Sequence, residues 1–536
     1  MFYKKAVFVG NRSSRKLVGI APLPRLKSIL ADTDDGELLQ MFWAVHALQD
    51  GREHLARRLI SFPSGAATTA ITSRWKVHPW NLETLITLQL NTPNGLTSYR
   101  RVDTSKFDTI AGLTNLLGRV EDMENRDRIN DRNILLEMHR IGHRTFQWQR
   151  GWRRQQDLYR YMYIYGQGKC AQFFQGRYGL TIVDFVSVCF ALFGVLSQGC
   201  WTSKLHGLHI MGLDDKLVDI ALPLVSAEIH EVRQASRDLL EKVETGLGTK
   251  LPVIYQPSYL RVKPIIRSFA NRNCFIAPLP ELILMRATVG LFYDLIPGGQ
   301  DILNDANERF EAYARYSIKA HCPDFDPLPA IRYRHNKNDV DTPDIILKKN
   351  NKVVAVFECK ATKLTFEAQY GEDPIANAEK GYTQIAKAIF QLWKFFSHVR
   401  RGLLELDVAD DAVGIVLTME AWTQMGGPLR EKLINDAKAL AAQKDTDIIV
   451  QDMRPPVFCP IQDLDDLLAT SDEDQLLTAF RAATQERYHP WGIREVRQRE
   501  ALQLSASKPY PFDIGEFLPW WRELPSQKTG RLRNVR

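Results

Sequence analysis

Asp341 to Ala361 reads DTPDIILKKNNKVVAVFECKA, and its pattern decides what the surrounding region folds into. Two apolar segments flank the polar Lys349-Asn350-Asn351-Lys352, and asparagine tolerates the left-handed backbone that tight hairpin turns require. The pattern therefore predicts two antiparallel strands. With a two-residue turn, Lys349 faces Lys352 and Asp344 falls opposite Phe357; with a three-residue loop, Asp344 falls opposite Glu358. Either register brings two carboxylates together. Val353 to Phe357 is continuously apolar, as expected of a central strand buried on both faces. Side chains alternate along a strand, so Glu358 and Lys360 share one face while Phe357 and Cys359 point to the other. An ionised glutamate at the end of such a strand is costly to bury alone, and a bound divalent cation would compensate it. Hard Mg²⁺ prefers oxygen ligands, which Asp344, Glu358 and the backbone carbonyl of Cys359 supply; Mn²⁺ is an expected substitute. Lys360 stands beside them, placed to position or help deprotonate an attacking water, or to offset charge growing on a phosphate.

Outward from the hairpin, the pattern predicts helices over Leu303 to Ala320, Ile375 to Arg400 and Leu429 to Gln443 and a strand over Ala412 to Met419. Short apolar runs follow at Asp447 to Val450 and Val457 to Ile461. This order describes a mixed sheet flanked by helices. In the helix before the hairpin, Glu308, Glu311 and Arg315 form one stripe. In the helix after it, Lys380, Gln384, Lys387 and Gln391 form a polar stripe beside an apolar one of Ile385, Ile389, Leu392 and Phe396. If the apolar side packs on the sheet, the polar edge can overhang the acids, with Gln384 the first choice for contact with a phosphate or water and Lys380 and Lys387 as phosphate contacts.

Pro343-Asp344, the hairpin and Glu358-Cys359-Lys360 together resemble the PD-(D/E)xK, or restriction-endonuclease-like, superfamily of nucleases. The resemblance spans roughly residues 300 to 470 and includes that fold's order of helix, hairpin, helix and strand. It implies metal-dependent phosphodiester hydrolysis, with DNA as the favoured substrate and Mg²⁺ as cofactor. Members often supply a further acid from the helix before the hairpin, and the FEAY setting selects Glu311 over Glu308. The RecB-like group carries Q-x-x-x-Y on the following helix; here Ala388 follows Gln384 and Phe395 follows Gln391, so that motif is absent. The bare D/E-x-K pattern also occurs at Asp214-Asp215-Lys216, in a context that reads as turn or helix.

The front of the chain reads differently. Net charge is +7, but residues 1–300 hold 38 Lys+Arg against 27 Asp+Glu and residues 301–536 hold 32 against 36. A basic front suits a polyanion and an acidic back suits a site built on carboxylates. No segment before residue 300 alternates with period two, whereas Leu82 to Leu90, Asp131 to Arg144 and Ala227 to Glu244 repeat apolar residues three and four apart. Ile296-Pro297-Gly298-Gly299 breaks the pattern. The expected organisation is a mainly α-helical basic recognition or regulatory domain (1–298), an α/β restriction-endonuclease-like domain with a mixed central sheet flanked by helices (299–487), and a C-terminal extension with a basic tail (488–536).

Residues 139–178 carry eight Lys or Arg against one acid, Asp157, interleaved with aromatics. Arg140, Arg144, Arg150, Arg153, Arg154 and Arg160 are accordingly candidates for phosphate contacts, with aromatic faces for bases; the bland alternative is a helical core with a basic rim. His139 and His143, four apart, lack a visible third ligand for zinc. No G-x-x-x-x-G-K-[ST] occurs, so a P-loop motor is not expected within the chain. Seven cysteines without a C-x-x-C pair, and a start lacking an apolar signal core, point to the cytoplasm. The run LTIVDFVSVCFALFGVL from Leu180 to Leu196 is nearly long enough to span a bilayer, but Asp184 interrupts it; a buried core helix is expected and no membrane. The sequence-level reading is a Mg²⁺-dependent DNA endonuclease, with anti-phage defence as the associated role and a protein partner or self-association left open. An RNase using the same site, or an inactive nucleic-acid-binding or interaction protein, are the rival readings.

Overall fold

The computed structural model describes residues 21–95, 102–126, 134–203, 213–268, 274–335, 338–361, 363, 366–370, 379–420, 427–500 and 507–523. The chain is mixed α/β, helical towards the N-terminus with mixed sheet towards the C-terminus. It divides into two compact units: Met1–Asn130 with Leu196–Lys204 and Ala227–Pro280, and Asp131–Val195 with Leu205–Ser226 and Glu281–Arg536. The break expected at 298/299 therefore falls inside the second unit, where Gly299 (φ 80) starts a helix. Residues 131–195 cluster with the sheet, because their arginines are ion-paired to a helix some 300 positions downstream, as described below. The described part of 488–536 is also packed into this unit: Phe512 stacks on Tyr159 at 4.9 Å, and Trp520 Nε1 donates to Ser187 Oγ at 2.9 Å. The last residues, KTGRLRNVR, lie outside the described set.

In the first unit the periodic segments are helices. Leu82 to Leu90 lies within Pro79–Asn91, and Ala227 to Glu244 largely within Ile229–Leu247. The latter starts at Glu228, whose amide donates to Glu231 Oε2 at 2.9 Å, and ends on Gly248 (φ 67), a left-handed position glycine occupies without penalty. One feature was not legible in the sequence: Ile265–Ser268 pairs antiparallel with Cys274–Ile276, strands too short to show an alternating pattern.

The apolar run becomes the helix Ile182–Gln198. Asp184 sits at its start, where Thr181 Oγ1 donates to it at 2.6 Å and the Asp184 amide donates back to Thr181 Oγ1 at 3.0 Å, so the charge caps the helix. Most of its length is buried in protein. No described helix is long and apolar enough to cross a membrane; Gly168–Tyr178 and Ile182–Gln198 meet that requirement only as a pair bent by 69°.

The second unit is built on five strands, β1 (Phe325–Pro329), β2 (Ile345–Lys349), β3 (Lys352–Lys360), β4 (Val408–Thr418) and β5 (Val457–Pro460), in the order β5-β4-β3-β2-β1. The pairs β1/β2 and β2/β3 are antiparallel, and β3/β4 and β4/β5 are parallel. Four helices accompany them: α1 (Gln300–His321), α2 (Glu379–Arg400), α3 (Gly427–Lys444) and α4 (Ile461–Thr470). A parallel β3/β4 pair needs a crossover, which α2 provides. Its Ile385, Ile389, Leu392 and Phe396 pack with Val353 and Val356 of β3 and Val416 of β4. Gly414 of β4 lets α2 approach, since a Cβ there would meet Leu392 Cδ1 at 3.2 Å. β3 is central, and Val353 to Phe357 are all buried.

β1 escaped the sequence reading because FDPLP holds two prolines. Proline cannot donate to a ladder, and β1 accordingly sits at a sheet edge, bonded to β2 alone. Between β1 and β2 the chain makes a separate ribbon, Arg332–His335 paired with Asn338–Asp341. The Asp447 to Val450 run forms no strand; a 3₁₀ turn, Val450–Asp452, stands there with Val450 exposed.

Candidate active site

The hairpin combines the two registers that the sequence left open. Asn350 and Asn351 (φ 51 and 64) make the two-residue turn, with Lys349 opposite Lys352. The ladder then shifts: Lys348 pairs with Val353 but Leu347 with Ala355, leaving Val354 as a bulge. Ile345 in consequence faces Phe357, and Asp344, one position before it, comes level with Glu358. A tight turn plus one bulged residue thus gives the pairing that a three-residue loop would have given.

Asp344 Oδ2 accepts from the Cys359 amide at 2.6 Å, so the strand's own backbone holds the first acid against the second. Lys360 Nζ lies 2.8 Å from Glu358 Oε1. The Cys359 thiol is buried. From α1, Glu311 joins them electrostatically. Its carboxyl is pushed up to about 7 from 4.5, first by burial and then by the Asp344 charge, with Glu358 adding to it and Arg315 opposing. Glu358 is likewise pushed up to about 7, by burial and then by Asp344, against the pull of Lys360. Burial also raises Asp344, partly offset by Lys360 and the Cys359 amide. Burial works to depress Lys360, but Glu358 and Asp344 outweigh it and hold the ammonium above its ordinary value. Three carboxylates, from α1, from the residue before β2 and from β3, therefore repel one another in a poorly solvated setting beside the Lys360 ammonium.

No protein-family model, curated protein or solved structure matches the chain.

Glu308, the rejected alternative on α1, is exposed. Asp214-Asp215-Lys216 is a helix start, with the Asp214 side chain accepting from the Lys216 amide at 3.2 Å. Gln384 and Lys387 lie half-buried on α2, and no hydrogen bond or ion pair joins them to the acids among the described residues; the Lys380 side chain lies outside the described set. α2 instead contributes Lys394, whose ammonium burial depresses while Glu358, Asp445 and Asp341 act to raise it. The sequence carries a signal for it, since Lys394 continues the Lys387, Gln391 stripe by one step of three. Arg315, one turn after Glu311, is the cation felt most strongly at Glu311 and, after Lys360, the second at Asp344.

The basic cluster requires a correction. Arg140, Arg144 and Arg160 are buried, Arg140 against Glu137 at 2.9 Å. Arg150 pairs with Asp463 and donates to Gln462 at 2.8 Å; Arg153 pairs with Glu281, Arg154 with Asp466, and Arg160 with both Asp157 and Asp465. Arg140, Arg150, Arg153, Arg154 and Arg160 are committed to carboxylates of the fold, three of the six on α4, and Arg144 is buried, so the cluster does not form a free phosphate-binding surface. Most of the interleaved aromatics, including Trp148, Trp152, Tyr159, Tyr161 and Tyr165, are core residues. His139 and His143 are buried edge to face at 4.4 Å, and burial pulls His143 well below its ordinary value.

As they stand, no three acidic, histidine or cysteine side chains among the described residues form a metal-chelating group. Glu358 is turned to Lys360. The donor chemistry still fits a hard divalent cation: carboxylates from separate elements that burial and mutual repulsion hold towards their neutral forms are groups a 2+ charge would stabilise as anions.

Proposed function

We propose that the chain is a Mg²⁺-dependent nuclease of restriction-endonuclease-like fold that hydrolyses phosphodiester bonds, with DNA the favoured substrate. The observation that carries the reading is the convergence of Glu311, Asp344 and Glu358 beside Lys360 at one end of a mixed sheet. The order α1, hairpin, α2, β4 supports it, since the resemblance read from Asp344, Glu358 and Lys360 implies that order. Asp344, Glu358 and the Cys359 carbonyl would hold the ion, with Glu311 completing the set. When bound, Mg²⁺ supplies charge to activate water and stabilise the phosphate oxygens.

The chain's own residues account for the rest. The Cys359 amide orients Asp344. Lys360, kept protonated by its acids, is suited to hold a water or phosphate oxygen and to neutralise developing charge, and unsuited to removing a proton. Arg315 and Lys394 bring a positive charge from each flanking helix to meet a polyanion.

Digestion of DNA and RNA side by side, with Mg²⁺, Mn²⁺ or EDTA, tests the reading. Metal-dependent DNA cutting lost in Lys360→Ala is expected. RNA cutting alone would transfer the site to an RNase, and no cutting of either would leave a binding or interaction protein. Plaque counts with wild type and Lys360→Ala test the defence role; equal protection by both would separate any protection from cleavage.

A further inference from the structure

The ribbon between β1 and β2 ends at Asp341, three residues before Asp344. Its neck is clamped where the Thr342 amide donates to the Ile331 carbonyl at 3.0 Å and the Ile331 amide donates to Thr342 Oγ1 at 2.9 Å. Pro343, with its ring-fixed φ, is all that separates this clamp from the acid, so a rotation of the ribbon passes to Asp344 with little slack.

The body of the ribbon is tied to α2 and the end of α3. Tyr333 OH lies 2.6 Å from His398 Nδ1, and His398 Nε2 lies 3.1 Å from Asp445 Oδ2. His398 is fully enclosed, with the His335 ring 4.9 Å away. Arg401 steadies Asp445 at 3.4 Å and reaches Asp447 at 2.6 Å. Asp445 is an acceptor only, so Nε2 carries the imidazole proton and Nδ1 accepts from the tyrosine hydroxyl. Burial depresses His398 and, with Asp445 and Asp341, lifts Tyr333 to about 12, which keeps the ring neutral and the phenol a donor.

We propose that Tyr333, His398 and Asp445 form a positioning latch that holds the ribbon against α2 and thereby fixes Asp344 for its partner Glu358. In its catalytic consequence this rests on the nuclease reading, but its structural content does not. The reporter is the Cys359 amide, which Asp344 protects directly.

Hydrogen exchange on the full chain tests it with Tyr333→Phe, which removes one hydroxyl and keeps the ring. Losing one partly buried hydrogen bond is expected to speed exchange about five-fold or more in the ribbon strands and at Cys359, while Phe357 on the same strand is unchanged. His398→Gln, able both to accept from Tyr333 and to donate to Asp445, is expected to restore much of the protection that His398→Phe loses. Unchanged exchange at Cys359 in Tyr333→Phe overturns the latch. In the cleavage arm, turnover should fall about ten-fold or more with KM within about two-fold, since displacement of a reacting group by a fraction of an ångström acts on the chemical step. Normal turnover in Tyr333→Phe overturns the catalytic consequence. If wild type and Lys360→Ala are equally inactive, it is the nuclease reading that fails, and the exchange result still decides the latch.

Discussion

Replacing Glu311 by glutamine should stabilise the metal-free protein and at the same time weaken its response to Mg²⁺, two opposite effects from one substitution. The Glu311 carboxyl is pushed up to about 7 in the folded chain, against 4.5 as its ordinary value. Below the ordinary value it is protonated in both states and costs nothing. As pH rises from there towards 7, the unfolded chain releases the proton while the folded chain retains it, so stability is lost across that window. At 1.36 kcal/mol per pH unit the shift corresponds to about 3 kcal/mol. Because the side chain keeps some exposure, solvent screening reduces this to ~1–2 kcal/mol. Glutamine has the same shape without the charge. In EDTA at about pH 8, Glu311→Gln should therefore melt ~2–4 °C above wild type, and the gap should close as pH falls towards the ordinary glutamate value. On the proposed reading the Mg²⁺ site exists only in the folded state, so Mg²⁺ should raise the wild-type melting temperature and narrow or reverse the gap, with little effect on the variant. Scanning calorimetry across pH, with and without Mg²⁺, measures both halves. Equal melting of the two proteins in EDTA at about pH 8, or an equal response to Mg²⁺, would refute the acid cluster as the physical basis of the site.

Asp344→Ala, Glu358→Ala and Lys360→Ala should each abolish cutting in a plasmid assay while circular dichroism shows a folded chain; full activity in any one would count against the assignment. Arg160→Ala strands Asp157 and Asp465 in the core and should cost ~3–5 kcal/mol in urea unfolding. Gel-shift affinity measured on its folded fraction should not change, whereas a surface role would predict weaker binding at intact stability. Lys394→Ala should weaken nucleic-acid binding and flatten its salt dependence by about one charge, with Lys394→Arg restoring both; an unaltered salt slope would remove Lys394 from the substrate path. Asn351→Ala removes the short polar side chain that makes asparagine tolerant of φ 64 and should lower stability by ~1 kcal/mol without altering cleavage of the folded protein. No loss of stability there would mean that the turn is not held in this conformation.

How much was legible follows from how far each signal extends along the chain. The hairpin, the helices on either side of it and the strand after them lie close to where periodicity placed them, because alternation and 3.6-residue repeats are local properties of ten or twenty residues. The family resemblance favours Glu311 over Glu308; in the structure the charges of Asp344 and Glu358 are felt at Glu311, whereas Glu308 faces solvent. The stripe on α2 is visible in the sequence, but nothing local marks that its next member, Lys394, is the one that feels the Glu358 charge. The register of the hairpin stayed undetermined, since nothing in VVAV marks which valine is squeezed out of the ladder.

By itself the sequence determined that two carboxylates and an ammonium would meet at the end of a buried strand, because a hairpin turn and a two-residue side-chain period leave them nowhere else to go. Only the tertiary structure decided what the arginines of 140–160 do. Read along the chain they look like an unbalanced basic patch; the α4 partners of Arg150, Arg154 and Arg160, namely Asp463, Asp466 and Asp465, come from some 300 positions away, and pairing across such a separation leaves no local trace. The same holds for Tyr333, His398 and Asp445: three ordinary polar residues on three elements become one network only when the ribbon, α2 and the end of α3 are packed together.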